Sequence, residues 1–302
     1  MIEARFRPTW PIDLRRTLGP MARRPAMRVG LDGIWRATLT ADGPATTHLR
    51  VERDGEVQLR AWGPGAAWAA ERLPGLVGAD DDVSGFTDVA DRHPLVAELA
   101  RRMPGVRFSR TGQVFEAIVP TIIEQKVTGH AARRSFAQLV RRLGQPAPGP
   151  GAALGLIVPP APDAWAATPS WVFHRAGVER RRADTVRVAA TYARRLDEAA
   201  TLPREIAWAR LTALPGVGAW TAAEVAQVAL GDGDAVSIGD FHIPNTVAWA
   251  LAGEARGDDA RMLELLEPFR PHRGRVIRLL EAAGIAAPKF GPRMAVNEFA
   301  DG

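Results

Sequence analysis

Three Asp-Gly pairs near the N-terminus, Asp32-Gly33, Asp42-Gly43 and Asp54-Gly55, constrain the fold of this chain more than any other feature. Asp-Gly tolerates the positive φ that a tight hairpin demands. The pairs separate the β-prone runs AMRVGL, IWRATLT, TTHLRVER and EVQLRAW, and runs joined in this way predict an antiparallel sheet. The Ala-rich AAWAAERL that follows reads as a helix packed on it. Near residue 85 the pattern changes. In HPLVAELARRM and in VFEAIVPTIIEQKVTGHAARRSFAQLVRRLG the apolar positions recur at three and four, the spacing of a helix face. Pro120, within VPTII, is expected to open or kink a helix rather than sit quietly within it. Residues 144–162, dense in Pro, Gly and Ala, read as a long exposed loop inside the helical part. Helical patterns resume from SWVFHRAG to GRVIRLLEAAG and decay after Gly284. The expected division is a sheet subdomain over 1–88, a helical region over 89–284 and a tail over 285–302.

Several classes are excluded by what the chain lacks. It has no cysteine, which removes disulfides, thiolate nucleophiles and Cys-ligated metals. The six histidines show no metal-binding spacing, so neither metal nor cofactor is expected. The start, MIEARFRPTWPID, has no charged segment leading into an apolar one, and no apolar run approaches membrane-spanning length. A soluble cytoplasmic protein without a membrane partner is expected. Lys+Arg total 39 against 34 Asp+Glu, a formal charge of +5, which favours a polyanionic partner. Lys126 and Lys289 are the only lysines. The Arg excess suits phosphate contact, and a coding bias toward Arg explains it equally well.

The chemistry concentrates between Ala213 and Asn245. The turn LPGVG, 214–218, joins two helical runs. Gly216 and Gly218 permit positive φ and let another backbone approach without a Cβ in the way, and the start of the next helix offers N–H groups to an anion. An ordinary corner between helices accounts for the pentapeptide as well. Downstream, Asp240 stands among Ile238, Phe241 and Ile243, just ahead of the helical run FHIPNTVAWALAG. Asp is a favoured N-cap, and a capping geometry would also fix a carboxylate for chemistry.

LPGVGAWTA followed by AVSIGDFHIPN resembles the helix-hairpin-helix glycosylase superfamily, specifically its alkylpurine branch of the bacterial 3-methyladenine DNA glycosylase II type. PGVRFSRTGQVFEAIVPTIIEQKVTGHAA, FHRAGVERRRADTV and EPFRPHRGRVIRLL resemble further segments of that family, and the β-rich start resembles its TATA-binding-protein-like sheet. The resemblance implies an α+β fold, in which that sheet precedes an all-α helix-hairpin-helix region of two lobes. It also implies a nucleoid-associated monomer that acts on double-stranded DNA containing damaged bases, in base-excision repair. The nucleotide is flipped into a pocket, and Asp240 stabilises the oxocarbenium-like sugar as the N-glycosidic bond breaks. Bifunctional members carry a Schiff-base lysine where this chain has Trp220, so a monofunctional hydrolase is implied. Trp220 and Phe241 are the expected pocket walls, Trp220 with cation–π attraction for an alkylated purine.

This chain departs from the family at the rest of the pocket. Glu224 and Arg278, and more loosely Pro20, stand where the family has aromatics, and Arg278 could equally pair with Glu224. Gln125 and then Lys126 occupy the wedge, where Lys126 either fills the vacated stack or binds phosphate. Leu214, Gly216, Gly218 and Thr221 are the expected hairpin contacts to DNA. The run Arg180, Arg181, Arg182 and the cluster Arg270, His272, Arg273, Arg275 read either as phosphate contacts or as solvated faces. His242 either lines the pocket or is a half-buried structural histidine. Two alternatives stay open: a glycosylase for an oxidised or deaminated lesion, and a non-catalytic protein that binds damaged DNA.

Overall fold

A computed structural model describes residues 1–288. One antiparallel sheet contains β1 (Ile2–Phe6), β2 (Met27–Gly30), β3 (Gly33–Thr40), β4 (Gly43–Val51) and β5 (Val57–Trp62) in the spatial order β1-β5-β4-β3-β2. The three Asp-Gly pairs form the three consecutive hairpins. Gly33, Gly43 and Gly55 take φ of 128°, 112° and 84°, a region closed to most side chains. Strand β1 was not expected; it pairs with β5, with Ile2 opposite Ala61 and Phe6 opposite Val57. One face of the sheet buries Ile34, Leu49, Leu59 and Ala61 against Leu14, Leu18, Leu73 and α1 (Ala66–Glu71).

The principal helices that follow are α2 (Pro94–Arg102), α3 (Val114–Glu124), α4 (Gly129–Leu143), α5 (Arg180–Thr191), α6 (Arg204–Thr212), α7 (Ala219–Val225), α8 (Ile243–Ala252), α9 (Asp259–Leu266) and α10 (Arg273–Ala282). They pack into two lobes with separate cores. The first lobe, from α3 to α7, buries Ile118, Ile122, Phe136, Trp165, Phe173 and Leu211. The second joins α2 to α8, α9 and α10 through Val96, Leu99, Val247, Met262, Leu266 and Leu280. It is therefore discontinuous in sequence. The chain enters it at α2, leaves to build the first lobe, and returns after α7.

The structure sharpens one expectation and corrects another. Pro120 lies inside α3, which runs through it from Val114 to Glu124. Proline leaves the carbonyl four residues back without its usual donor, and one residue on, Thr121 Oγ1 donates to the Ala117 carbonyl at 2.8 Å. The segment 144–162 is not an exposed loop. Two short strands, Gln145–Pro146 and Ile157–Val158, pair with each other, and Ala147, Leu156 and Val158 are buried with Ala37 of the sheet. Thr46 Oγ1 donates to the Pro148 carbonyl at 2.7 Å. Pro and Gly signal turns correctly here, but the few apolar side chains between them are enough to dock the segment. Of the expected tail, 285–302, residues 289–302 lie outside the described residues, and Ile285 packs against the second lobe. Among the described residues no helix is long and apolar enough to cross a membrane.

Candidate active site

The glycine turn 214–218 connects α6 to α7 at the surface of the first lobe. Gly216 adopts φ 86°, and a Cβ there would stand 2.4 Å from Thr185 Oγ1 of α5. Gly218 differs from expectation: its φ is −97° and it caps α7 in an extended conformation. Its value lies in space, since a Cβ there would meet nothing within 4 Å. The first N–H groups of α7 have no partner within the helix and open beside these exposed glycines. Leu214, by contrast, is buried in the core of the first lobe, so its side chain is an anchor for the turn and not a DNA contact. Thr221 is buried as well and accepts from Gln125 Nε2 at 2.8 Å, while the same nitrogen donates to the Gly216 carbonyl at 3.0 Å. Gln125 thus fastens the end of α3 to the hairpin. The next residue, Lys126, is exposed at φ 56°, unusual for a residue with a side chain.

Two substitutions separate these roles. Gly216→Ala places a side chain at positive φ against Thr185 and is expected to cost about 1–3 kcal/mol of stability, read as a lower thermal midpoint. Gly218→Ala is expected to melt with the parent protein yet bind duplex DNA more weakly, because its methyl occupies the open approach to the backbone. Equal duplex affinity in the Gly218 variant would remove that approach from the binding surface.

Asp240 sits at the seam between the lobes. Its Oδ1 accepts from the backbone N–H of His242 at 2.7 Å and of Ile243 at 2.9 Å, capping α8. Its Oδ2 accepts from Trp220 Nε1 of α7 at 2.9 Å. One carboxylate thus closes the start of a helix in the second lobe and takes the indole N–H from the first. The turn before it is held by Asp259, whose carboxylate accepts from the Gly239 N–H at 3.0 Å. Sequence pattern identified both Trp220 and Asp240 but not the bond between them, which is formed by residues 20 positions apart on different elements.

The other expected pocket residues divide. Phe241 is beside Asp240 but 80 % exposed, with its ring edge-on to His242, which is exposed and not half-buried. Neither forms a pocket wall. Glu224, one turn beyond Trp220 on α7, accepts from Ser237 Oγ at 2.5 Å. It lines a small cavity of about 60 Å³ with Pro20, Thr121 and Val228, so two of the positions that replace family aromatics meet there. Burial pushes the Glu224 carboxyl up to about 7, against the opposing pull of the Ser237 hydrogen bond. Arg278 is buried away from that cavity: its Nη2 donates to Gln227 Oε1 at 2.7 Å and its guanidinium lies 4.9 Å from the Phe108 ring centre. Desolvation lowers its affinity for the proton. Its partner is Gln227 and not Glu224. A wider cavity of about 780 Å³ opens elsewhere, between the sheet and the first lobe, lined by Trp68, Arg110 and Trp165.

The arginine clusters are mostly structural. Arg182 is buried and donates to the Ile123 carbonyl, whereas Arg180 and Arg181 are exposed. Arg273 makes a two-pronged contact with buried Asp234, and Arg270 pairs with Glu267. His272 bonds the Ser84 carbonyl at 2.9 Å. Arg275, 3 % exposed, is clamped on Asp81. These acidic partners lie up to 194 residues away, so the charge run gave no sign of them.

A sheet domain ahead of two helical lobes, with a glycine hairpin facing a capped carboxylate across their seam, defines the helix-hairpin-helix glycosylase fold. Comparison with known proteins agrees. No protein-family model matches the chain. Over 177 residues it is 30 % identical to a Mycobacterium tuberculosis protein named "Probable bifunctional transcriptional activator/DNA repair enzyme AlkA", covering 57 % of this chain and 34 % of that protein. The match thus spans about a third of that curated relative. The fold matches a 3-methyladenine DNA glycosylase from Archaeoglobus fulgidus with a TM-score of 0.76 at 19 % identity, covering 92 % of this chain and 97 % of that one. It matches a Clostridium acetobutylicum 8-oxoguanine glycosylase/lyase at 0.70 and 12 % identity, covering 93 % and 96 %. A Schizosaccharomyces pombe 3-methyladenine DNA glycosylase, in complex with abasic DNA, matches at 0.55 and 17 %, covering 67 % and 98 %. The chain has the fold of the helix-hairpin-helix glycosylases, and part of it is similar in sequence to an AlkA protein.

Proposed function

We propose that this protein is a monofunctional DNA glycosylase that hydrolyses the N-glycosidic bond of alkylated bases of the 3-methyladenine type in duplex DNA, the opening step of base-excision repair. The observation that carries the reading is Asp240, held by two backbone N–H groups and an indole N–H at the seam beside the hairpin. Fixed donors keep the carboxylate oriented toward one point, where it can stabilise the positive charge that develops on the sugar. The hairpin holds the phosphodiester while the damaged nucleotide is extruded, at a cost of a few kcal/mol. An alkylated purine is already cationic and leaves as a neutral base. Trp220 supplies no amine, and Lys126 is exposed at the end of α3, so water is the nucleophile and the product is an abasic site.

The deciding experiment incubates the protein with methylated genomic DNA and identifies the freed bases by mass spectrometry. Release of 3-methyladenine or 7-methylguanine is expected, with strands that break only after alkali. Strand cleavage without alkali would replace the hydrolase with a lyase. Binding to lesion or abasic DNA with no base released would favour a non-catalytic damage-binding protein.

A further inference from the structure

We propose that the exposed face of α4 is a second DNA-binding surface, a basic track that holds the duplex on one side only of the lesion. The inference rests on the glycosylase reading above and extends its contact with DNA from the hairpin to the flanking base pairs. α4 starts at the hairpin. Gln125 ties the end of α3 to Gly216 and Thr221, Lys126 follows, and the Thr128 side chain accepts from the Ala131 N–H to begin the helix. From that fixed start its 15 residues, at a rise of about 1.5 Å each, carry α4 about 22 Å. It ends at the strand Gln145–Pro146, in the segment that docks on the sheet.

Every charge on α4 is positive. Arg133, Arg134, Arg141 and Arg142 are exposed, and among the described residues none of them is ion-paired. Exposed arginines on other helices do find carboxylates, as Arg102 does with Glu98 and Arg270 with Glu267. A period of 3.6 residues aligns His130, Arg134 and Arg141 along one line toward solvent, flanked by Arg133 and Arg142. The helix dipole favours cations in the last turn and so accounts for Arg141 and Arg142, but Arg133 and Arg134 stand in the second turn, where it does not. At the far end the guanidinium carbons of Arg142 and Arg175 lie 5.0 and 5.3 Å from the ring centre of Trp171, which is 51 % exposed. Two guanidiniums steadied on one indole, neither with a carboxylate partner among the described residues, present fixed donors to phosphate oxygens. The occupant that fits is a rod of evenly spaced negative charge continuing from the hairpin. At about 3.4 Å per base pair, 22 Å of helix follows about six base pairs of duplex.

The test measures binding by fluorescence anisotropy to two duplexes that carry an abasic-site analogue. One extends about three base pairs to one side of the analogue and about fifteen to the other, and the second has the arms exchanged, so that only one long arm can lie along α4. The parent protein is expected to prefer one of the two and to lose affinity when that long arm is cut below about six base pairs. Arg133→Gln, Arg134→Gln and Arg141→Gln together are expected to melt with the parent and to erase the preference. They should also lower the slope of log affinity against log salt by about two to three, and weaken the preferred duplex on the order of a hundredfold at physiological salt. Arg28→Gln, Arg53→Gln and Arg101→Gln together remove the same charge from exposed positions on the sheet and α2, and should do none of this. Equal affinity of the parent for both duplexes, a preference that survives in the α4 variant, or an equal loss in the control variant overturns the track and leaves the glycosylase reading standing. A one-sided preference in a protein that frees no base from methylated DNA keeps the track and overturns that reading. Failure to bind any duplex overturns both.

Discussion

Asp240→Asn is expected to slow single-turnover base release by about two to four powers of ten, roughly 3–5 kcal/mol of transition-state stabilisation. The change is nearly isosteric. The amide oxygen can still accept from His242 and Ile243, so α8 keeps its cap, but the amide nitrogen then faces the Trp220 N–H, donor against donor. Both the negative charge and the tie across the seam are lost. Asp240→Ala removes the cap too and is expected to lose about 1 kcal/mol more stability with a similar activity. Trp220→Phe keeps the charge and frees its orientation, so about a tenfold loss is expected, within the range of one hydrogen bond to a charged group. Base release by the Asn variant at the parent rate would exclude Asp240 as the catalytic group.

Asp81→Ala is expected to be the most destabilising single substitution outside the hydrophobic cores, at about 3–5 kcal/mol, a drop of roughly ten degrees in thermal midpoint. Asp81 is buried where the chain passes from the sheet into the second lobe. It accepts from both Nη atoms of Arg275 on α10 and from the Phe108 N–H at 2.9 Å. Removing it strands a buried guanidinium packed between the rings of Phe86 and Phe108. Pairing Asp81→Ala with Arg275→Met should recover part of the loss, because the unpaired charge causes most of it. If the double variant melts no higher than the single one, charge burial is not the cause.

What the sequence made legible follows from range. The Asp-Gly hairpins and the helix periodicities are local, and they appear where expected. Strand β1 alternates Ile2, Ala4 and Phe6, but it pairs with β5 some fifty residues on, and no turn announced it. The segment 144–162 was misread because its turn residues outnumber the three side chains that dock it. Arg275 and Arg273 read as surface charge because Asp81 and Asp234 become their partners only in the folded chain. In the site, the hairpin motif located the turn and Asp240, yet the inward direction of Leu214 and Thr221 depends on how the turn and α7 are rotated against the first lobe. Motif alone carried no information on that rotation. The Ser237 hydroxyl on Glu224 was likewise invisible, for it requires the loop after α7 to fold back on that helix.

The discontinuity of the second lobe bears on how the protein is made. A ribosome completes the sheet and the whole first lobe, hairpin included, before it has supplied more than α2 of the second. Until α10 emerges, α2 lacks its main partner in the second core, and the helix that Asp240 caps has only α9 to pack against. The nascent chain therefore holds the finished glycine turn, with Trp220 beside it, well before α10 completes the core against which the helix after Asp240 packs.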